Sequence, residues 1–219
     1  MPVFLDLDNT LVDRDGAFSS WAARAVVEWG GDARDVRWLV DADRSGYTPR
    51  RELAEMIQER LTPSCSTDGI VDRLLYEHLA VIECYPGVLD ELERMTRAGV
   101  SLVVVTNGES EQQRRKLTIT GLDRVVAARV ISGELGAKKP DARIFDAARA
   151  AVPEDGVAWM VGDHVTADMA GARAAGCSTA WVGHDRPWPQ TWMPDLMASR
   201  PDEVLGLLRD RLLGCGVTG

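Results

Sequence analysis

The sequence predicts an α/β protein: a parallel sheet covered by helices and interrupted early by a block of helices alone. Two patterns carry this. Short apolar runs recur near residues 3–7, 101–106, 128–131, 157–161 and 178–182, with helix-period segments between them. That alternation builds a parallel sheet with helices on both faces. The stretch from about Gly16 to Glu83 has no such runs and reads as helices throughout. An all-helical stretch between the first two strands is an insertion, so two domains are expected: residues 1–15 with 85–219, and residues 16–84.

The first strand is Val3-Phe4-Leu5, and it runs straight into Asp6-Leu7-Asp8. Within the insertion, Phe18, Trp21, Ala22, Ala25, Val26 and Trp29 fall at helical spacing, and Gly30-Gly31 stops them. Val36, Leu39 and Val40 form a second face. Thr48-Pro49 reads as an N-cap followed by proline at the first helical position. Leu53, Met56, Ile57 and Leu61 make a third face, and Ile70 to Ile82 a fourth, which together suggest a small bundle. Beyond it, Val88, Leu89, Leu92 and Met95 form a helix face ended by Gly99. Ile144, Phe145 and Ala148 mark another helix, and Val165 to Ala175 a third, ended by Gly176. The proline- and tryptophan-rich stretch Gly183 to Arg200 reads as irregular. A last helix covers Val204 to Leu212, and Gly214 to Gly219 reads as a loose tail.

At 219 residues the chain can bury a proper core. Its formal net charge of -9 argues against nucleic acid or anionic lipid as partners. An anionic substrate must then be recruited by local groups and a metal. No apolar run approaches the roughly 18 residues of a membrane span, and the N-terminus enters a core strand directly, unlike a signal peptide. A cytoplasmic location is expected. Cys65, Cys84, Cys177 and Cys215 are scattered and read as reduced thiols. His78, His164 and His184 are equally scattered and give a zinc site little support.

Four clusters carry the chemistry. Asp6 and Asp8 stand two apart at a strand end, on one side of an extended segment. Such a pair repels unless it shares a cation or a proton, so a metal site, a covalent nucleophile and an acid/base pair all remain open. Leu102-Val103-Val104-Val105 ends in Thr106-Asn107-Gly108, and Lys138-Lys139-Pro140-Asp141 precedes a helix. Val157 to Val161 ends in Gly162-Asp163, with Asp168 five residues on. Reactive groups of parallel sheets sit at such strand ends.

This ordered set, from Met1 to about Val182, resembles the four motifs of the haloacid dehalogenase-like (HAD) superfamily, in particular its phosphatase branch. The resemblance implies a Rossmann-like core with an inserted helical cap that closes over the site. It implies Mg²⁺-dependent hydrolysis of a small phosphate monoester through an aspartyl-phosphate. Asp6 would be the nucleophile. Asp8 would be general acid and then general base. Mg²⁺ would be held by the Asp6 and Asp163 side chains and the Asp8 backbone carbonyl, with Asp168 orienting waters or Lys139. The Thr106 hydroxyl and the backbone N–H groups of Asn107 and Gly108 would hold phosphoryl oxygens. Lys139, directly before the proline, would supply positive charge, and Lys138 is read as surface. Asn9 departs from the glycine common in the family, but asparagine tolerates a left-handed turn.

Two rivals stay open. One is a 2-haloacid dehalogenase, against which Asp8 argues, because the dehalogenases lack a carboxylate there. The other is a non-catalytic binding or regulatory module, which would not need both Asp6 and Asp8. In the insertion, the segment Asp41 to Arg51, with Arg44, Arg50 and Arg51, is either a specificity loop or a solvated turn, and Arg14 is in the same position. The insertion holds no lysine, which argues against phosphonate cleavage through a Schiff base. The partner expected is a small-molecule phosphate ester, with the chain a monomer or homodimer. Trp188 and Trp192 would serve a dimer or pack on the core.

Overall fold

The computed structural model describes residues 1–154 and 156–214. It divides into two compact units, Asp13–Glu83, and Met1–Val12 with the chain from Cys84 onward.

The smaller unit contains helices α1 (Arg14–Glu28), α2 (Ala33–Asp43), α3 (Arg50–Leu61) and α4 (Thr67–Tyr76), with a short 3₁₀ turn at Glu77–Val81. Phe18, Trp21, Ala22, Ala25 and Val26 of α1 pack on Leu39, Leu53, Ile57, Ile70 and Leu74. The three-and-four spacing of these residues puts one apolar stripe of each helix inward. Asp32 and Asp35 form a reciprocal capping box at the start of α2, worth about 1 kcal/mol. Thr48 does not cap α3 as its sequence suggests. Pro49 holds the cap position with no side-chain bond. The Thr48 hydroxyl instead donates to the Ala42 carbonyl at 2.5 Å, closing the end of α2.

Asp43 is buried and receives Arg14, Arg50 at 2.7 Å and the Gly46 N–H at 2.9 Å. Burial would raise the pKa of this carboxyl, but the two guanidinium groups outweigh it and the net shift is downward. Arg14 and Arg50 are thus engaged within the unit, and Arg51 pairs with exposed Asp68.

The larger unit is built on a six-stranded, wholly parallel sheet. Its strands are β1 (Val3–Leu5), β2 (Leu102–Thr106), β3 (Ala128–Ile131), β4 (Trp159–Gly162), β5 (Ser178–Val182) and β6 (Leu196–Ala198), in the order β3-β2-β1-β4-β5-β6. Five of them fall on apolar runs. The sixth lies in the stretch read as irregular, because its three residues sit at the sheet edge only partly buried and leave no hydrophobic run. The helices are α5 (Val88–Arg97), α6 (Ser110–Ile119), α7 (Ser132–Leu135), α8 (Ala142–Ala150), α9 (Gly171–Ala174) and α10 (Pro201–Gly214).

Phe4, Val103, Val105 and Met160 pack with Ile144, Phe145 and Ala148 of α8 and with Ala172 of α9. The alternate residues Val3, Leu5, Val104 and Val161 are also fully buried. Both faces of the sheet are therefore covered, as a parallel sheet requires.

Residues Val165–Ala170, expected as the start of an ordinary α-helix, wind as a π-helix before α9. Trp188 and Trp192 are not exposed. Trp188 packs edge-on against Trp181 at 4.9 Å and Trp192 against Trp188 at the same distance, extending the core. Of the expected tail, Gly214 closes α10 and the rest lies outside the described residues, as does Cys215. No helix among the described residues is long and apolar enough to cross a membrane.

Candidate active site

The strand order fixes where a site can form. From β1 the chain moves outward through β2 to β3, then returns to the other side of β1 as β4. At such a reversal the connections leave in opposite directions and open a crevice at the carboxyl ends of the strands. The residues just beyond β1 and β4 are Asp6 and Asp163, and β2 ends at Thr106.

Lys139 reaches into this place. Its Nζ lies 2.5 Å from Asp6 Oδ1 and 2.7 Å from Asp168 Oδ1, and it is almost wholly shielded from solvent. Its neighbour Lys138 is exposed. Burial alone would lower the lysine's pKa, but the carboxylates of Asp168 and Asp6 overcome it and the net shift is upward, so Lys139 is a fixed cation. Asp6 moves the other way. Burial, with smaller contributions from Asp168 and Asp8, raises it to about 7 against the pull of Lys139. Asp163 is raised well above the usual carboxylate range by burial and by Asp168 and Asp6, with Arg186 opposing.

Asp168 is held from two sides. The His164 N–H donates to its Oδ2 at 2.9 Å while Lys139 takes Oδ1. Gly162 makes room for it, since a Cβ there would sit 2.4 Å from Asp168 Oδ2. The π winding of Val165–Ala170 coincides with this carboxylate, and such windings recur at functional sites.

Oxygens of Asp6, Asp163 and Asp168 lie within 4.8 Å of one another. Three carboxylates share this space with Lys139 and, on Asp163, with Arg186 at 3.1 Å. Burial first, and then the neighbouring carboxylates, push Asp6 and Asp163 upward. An all-oxygen donor set of this kind fits a hard divalent cation such as Mg²⁺.

The other residues singled out in the sequence are arranged less simply. The Asp8 carboxylate is taken by α6: Lys116 Nζ is 2.7 Å from both of its oxygens, and Gln113 Nε2 is 3.1 Å from Oδ2. Gln113 Nε2 also donates to Thr106 Oγ1 at 2.6 Å. The Asn107 side chain pairs with the Lys139 backbone. Its Oδ1 accepts from the Lys139 N–H at 2.8 Å, and its Nδ2 donates to the Lys139 carbonyl at 3.0 Å. Asn107 thereby fixes the segment that delivers the lysine. The Gly108 N–H donates to Ser132 Oγ at 3.0 Å. A Cβ at Gly108 would come within 2.9 Å of Gln113, so glycine is required beside that side chain. Asn9 takes the left-handed turn at φ +58°, and its carbonyl meets His184 Nε2 at 2.7 Å.

Sequence reasoning did not find Gln113, Lys116, Arg186 or the bracing by His164. The inward face of α6 is polar apart from Leu117, so no apolar periodicity marks it. Lys116 carried one faint signal: it is one of only three lysines among 25 basic residues.

A family model of the haloacid dehalogenase-like hydrolases matches residues 3–176. The chain therefore belongs to that family. It is similar to the phosphoserine phosphatase of Thermus thermophilus, 33% identical over 193 residues, covering 85% of this chain and 70% of that protein. It is also 33% identical to the glyceraldehyde 3-phosphate phosphatase of Methanopyrus kandleri over 236 residues, covering 95% of this chain and 97% of that protein. A HAD-type hydrolase of Bacillus subtilis bound to magnesium has the same fold, with a TM-score of 0.75 and 21% identity over 94% of this chain and 97% of that one. A 2-haloacid dehalogenase from Pseudomonas syringae aligns with a TM-score of 0.60 and 26% identity, covering 95% of this chain and all of that chain.

Proposed function

We propose that this hydrolase is a Mg²⁺-dependent phosphatase that cleaves a small phosphate monoester through an aspartyl-phosphate on Asp6. The observation that carries the reading is the bridge from Lys139 to Asp6 and Asp168, with the Asp163 carboxylate beside it. Phosphoryl transfer needs an oxygen nucleophile, neutralised phosphoryl oxygens and a protonated leaving oxygen.

Asp6 supplies the nucleophile. Its carboxylate forms a bond to phosphorus as the ester P–O bond breaks, and Asp8 gives its proton to the departing oxygen. Water then attacks phosphorus, Asp8 takes the proton from that water, and the Asp6 carboxylate is released. Lys139 stays charged throughout and offsets the anionic phosphoryl group. The Thr106 hydroxyl accepts from the Gln113 amide at 2.6 Å and donates to the Asn107 carbonyl at 3.4 Å, a long bond that a phosphoryl oxygen would replace. Asp6, Asp163 and the Asp8 carbonyl would hold Mg²⁺, which supplies charge neutralisation to the phosphoryl oxygens when bound.

The relatives are named for phosphoserine and glyceraldehyde 3-phosphate, so the substrate class proposed is a small metabolite phosphate. We assign the helical unit Asp13–Glu83 the cap's part in choosing among such substrates. The dehalogenase likeness gives a second reading, which Asp8 and Asp163 oppose, since halide leaves without a proton.

A screen of purified protein against metabolite phosphates tests this, with Mg²⁺, with EDTA and with Asp6→Asn. Metal-dependent hydrolysis that disappears in the variant is expected. Full activity of Asp6→Asn would overturn the mechanism. Halide release from a 2-haloacid would restore the dehalogenase reading, and silence on every ester would favour a non-catalytic module.

A further inference from the structure

Among the described residues two lysines are buried, Lys139 and Lys116, and each sits on one member of the Asp6/Asp8 pair. Lys139 holds Asp6. Lys116 holds Asp8, with its Nζ 2.7 Å from both carboxylate oxygens and its side chain 2% exposed. Gln113, three residues earlier on the same face of α6, is fully buried and bonds both Asp8 and Thr106.

We infer that Lys116 and Gln113 are positioning residues for Asp8, which stabilise and aim its carboxylate as it protonates the leaving oxygen. The inference rests on the reading of Asp8 as the acid in the first step. When Asp8 gives its proton to the ester oxygen, negative charge appears on its carboxylate. The ammonium 2.7 Å from both oxygens favours the ionised carboxylate that this transfer leaves, so its part is to hold the carboxyl in line as the proton departs. The three contacts from α6 also remove the rotational freedom of a short side chain, and small errors in the placement of a reacting group are costly. Gln113 ties the same carboxylate to the Thr106 hydroxyl, so proton donor and phosphoryl-binding group move as one body. A lysine enclosed in this way would be costly without its carboxylate, which is why a purely structural ion pair is the competing explanation.

Leaving-group dependence separates the two. An aryl phosphate such as p-nitrophenyl phosphate expels its oxygen with little need of a proton, whereas an alkyl phosphate such as glycerol phosphate needs one. The experiment measures kcat/KM for both esters, at saturating Mg²⁺, in the native enzyme, Asp8→Asn, Lys116→Met, Lys116→Arg and Gln113→Leu. Thermal unfolding of each variant is followed in parallel.

Lys116→Met is expected to lower the alkyl value about tenfold more than the aryl value, the same direction as Asp8→Asn. Lys116→Arg is expected to recover part of the difference, and Gln113→Leu to show a smaller version of it. Should Lys116→Met fail to fold, Gln113→Leu and Lys116→Arg carry the comparison. Equal losses on both esters, or none, while Asp8→Asn remains selective, overturn the inference and leave the phosphatase reading standing. A native enzyme inactive on these two esters and on every ester of the metabolite screen removes the reading and the inference with it.

Discussion

Asp168 Oδ1 lies 2.7 Å from Lys139 Nζ, and both side chains are about 1% exposed. One ammonium thus serves two carboxylates, Asp168 on one side and Asp6 on the other. Neither Asp6 nor Asp168 has this ammonium to itself.

Lys139→Met should lower phosphatase activity by about 10²-fold or more, since it removes a fixed charge from the reacting group. It should also destabilise the fold by about 3 kcal/mol, because it leaves buried carboxylates without their partner. Steady-state kinetics and urea unfolding check the two effects on the same preparation.

Stability in EDTA should depend on pH through Asp6. Its carboxyl shifts from 3.8 to about 7 on folding, so the folded state binds this proton more tightly than the unfolded chain. The group therefore costs stability as pH rises from about 4 to 7, and the whole cost is present above 7. Asp6→Asn removes a charge that burial opposes. Thermal unfolding in EDTA should show the variant more stable than the native protein at pH 8, and the gap should shrink as pH falls toward 5. A gap that grows on acidification would reverse the sign.

Mg²⁺ should raise the melting temperature of the native protein at pH 8 in a concentration-dependent way. The effect should be much weaker in Asp163→Asn, which loses one charged donor of the cluster. Proton competition at Asp6 and Asp163, both shifted upward, should weaken Mg²⁺ binding as pH falls below 7. Isothermal titration at two pH values measures this.

Gly162→Ala should damage the site through sterics alone. The added Cβ would lie 2.4 Å from Asp168 Oδ2 and 2.6 Å from its Cβ, so Asp168 must move away from Lys139. A loss of about 2 kcal/mol from overpacking is expected, together with a fall in kcat. Unfolding curves and kinetics of the variant test both.

Most of the sheet was legible because its strands are buried on both faces and read as apolar runs. Asp6, Thr106 and Asp163 were legible because each run stops at them. The strand Leu196–Ala198 was not, since an edge strand of three residues buries too little to leave a run. Helix α6 was hidden for the opposite reason: it turns Gln113 and Lys116 inward, so its buried stripe is polar and periodicity fails. Arg186 sits in an irregular loop, and only the fold brings it to Asp163. The Lys116 partner of Asp8 lies 108 residues away along the chain, beyond any local pattern.

The covalent step on Asp6 is tested most directly by rapid acid quench of the enzyme during turnover of an aryl phosphate, followed by peptide mass spectrometry. The account predicts a peptide containing Asp6 that carries one phosphoryl group, present in the native enzyme and absent in Asp6→Asn. Robust turnover with no phosphorylated Asp6 peptide, or with the label on another residue, would contradict it.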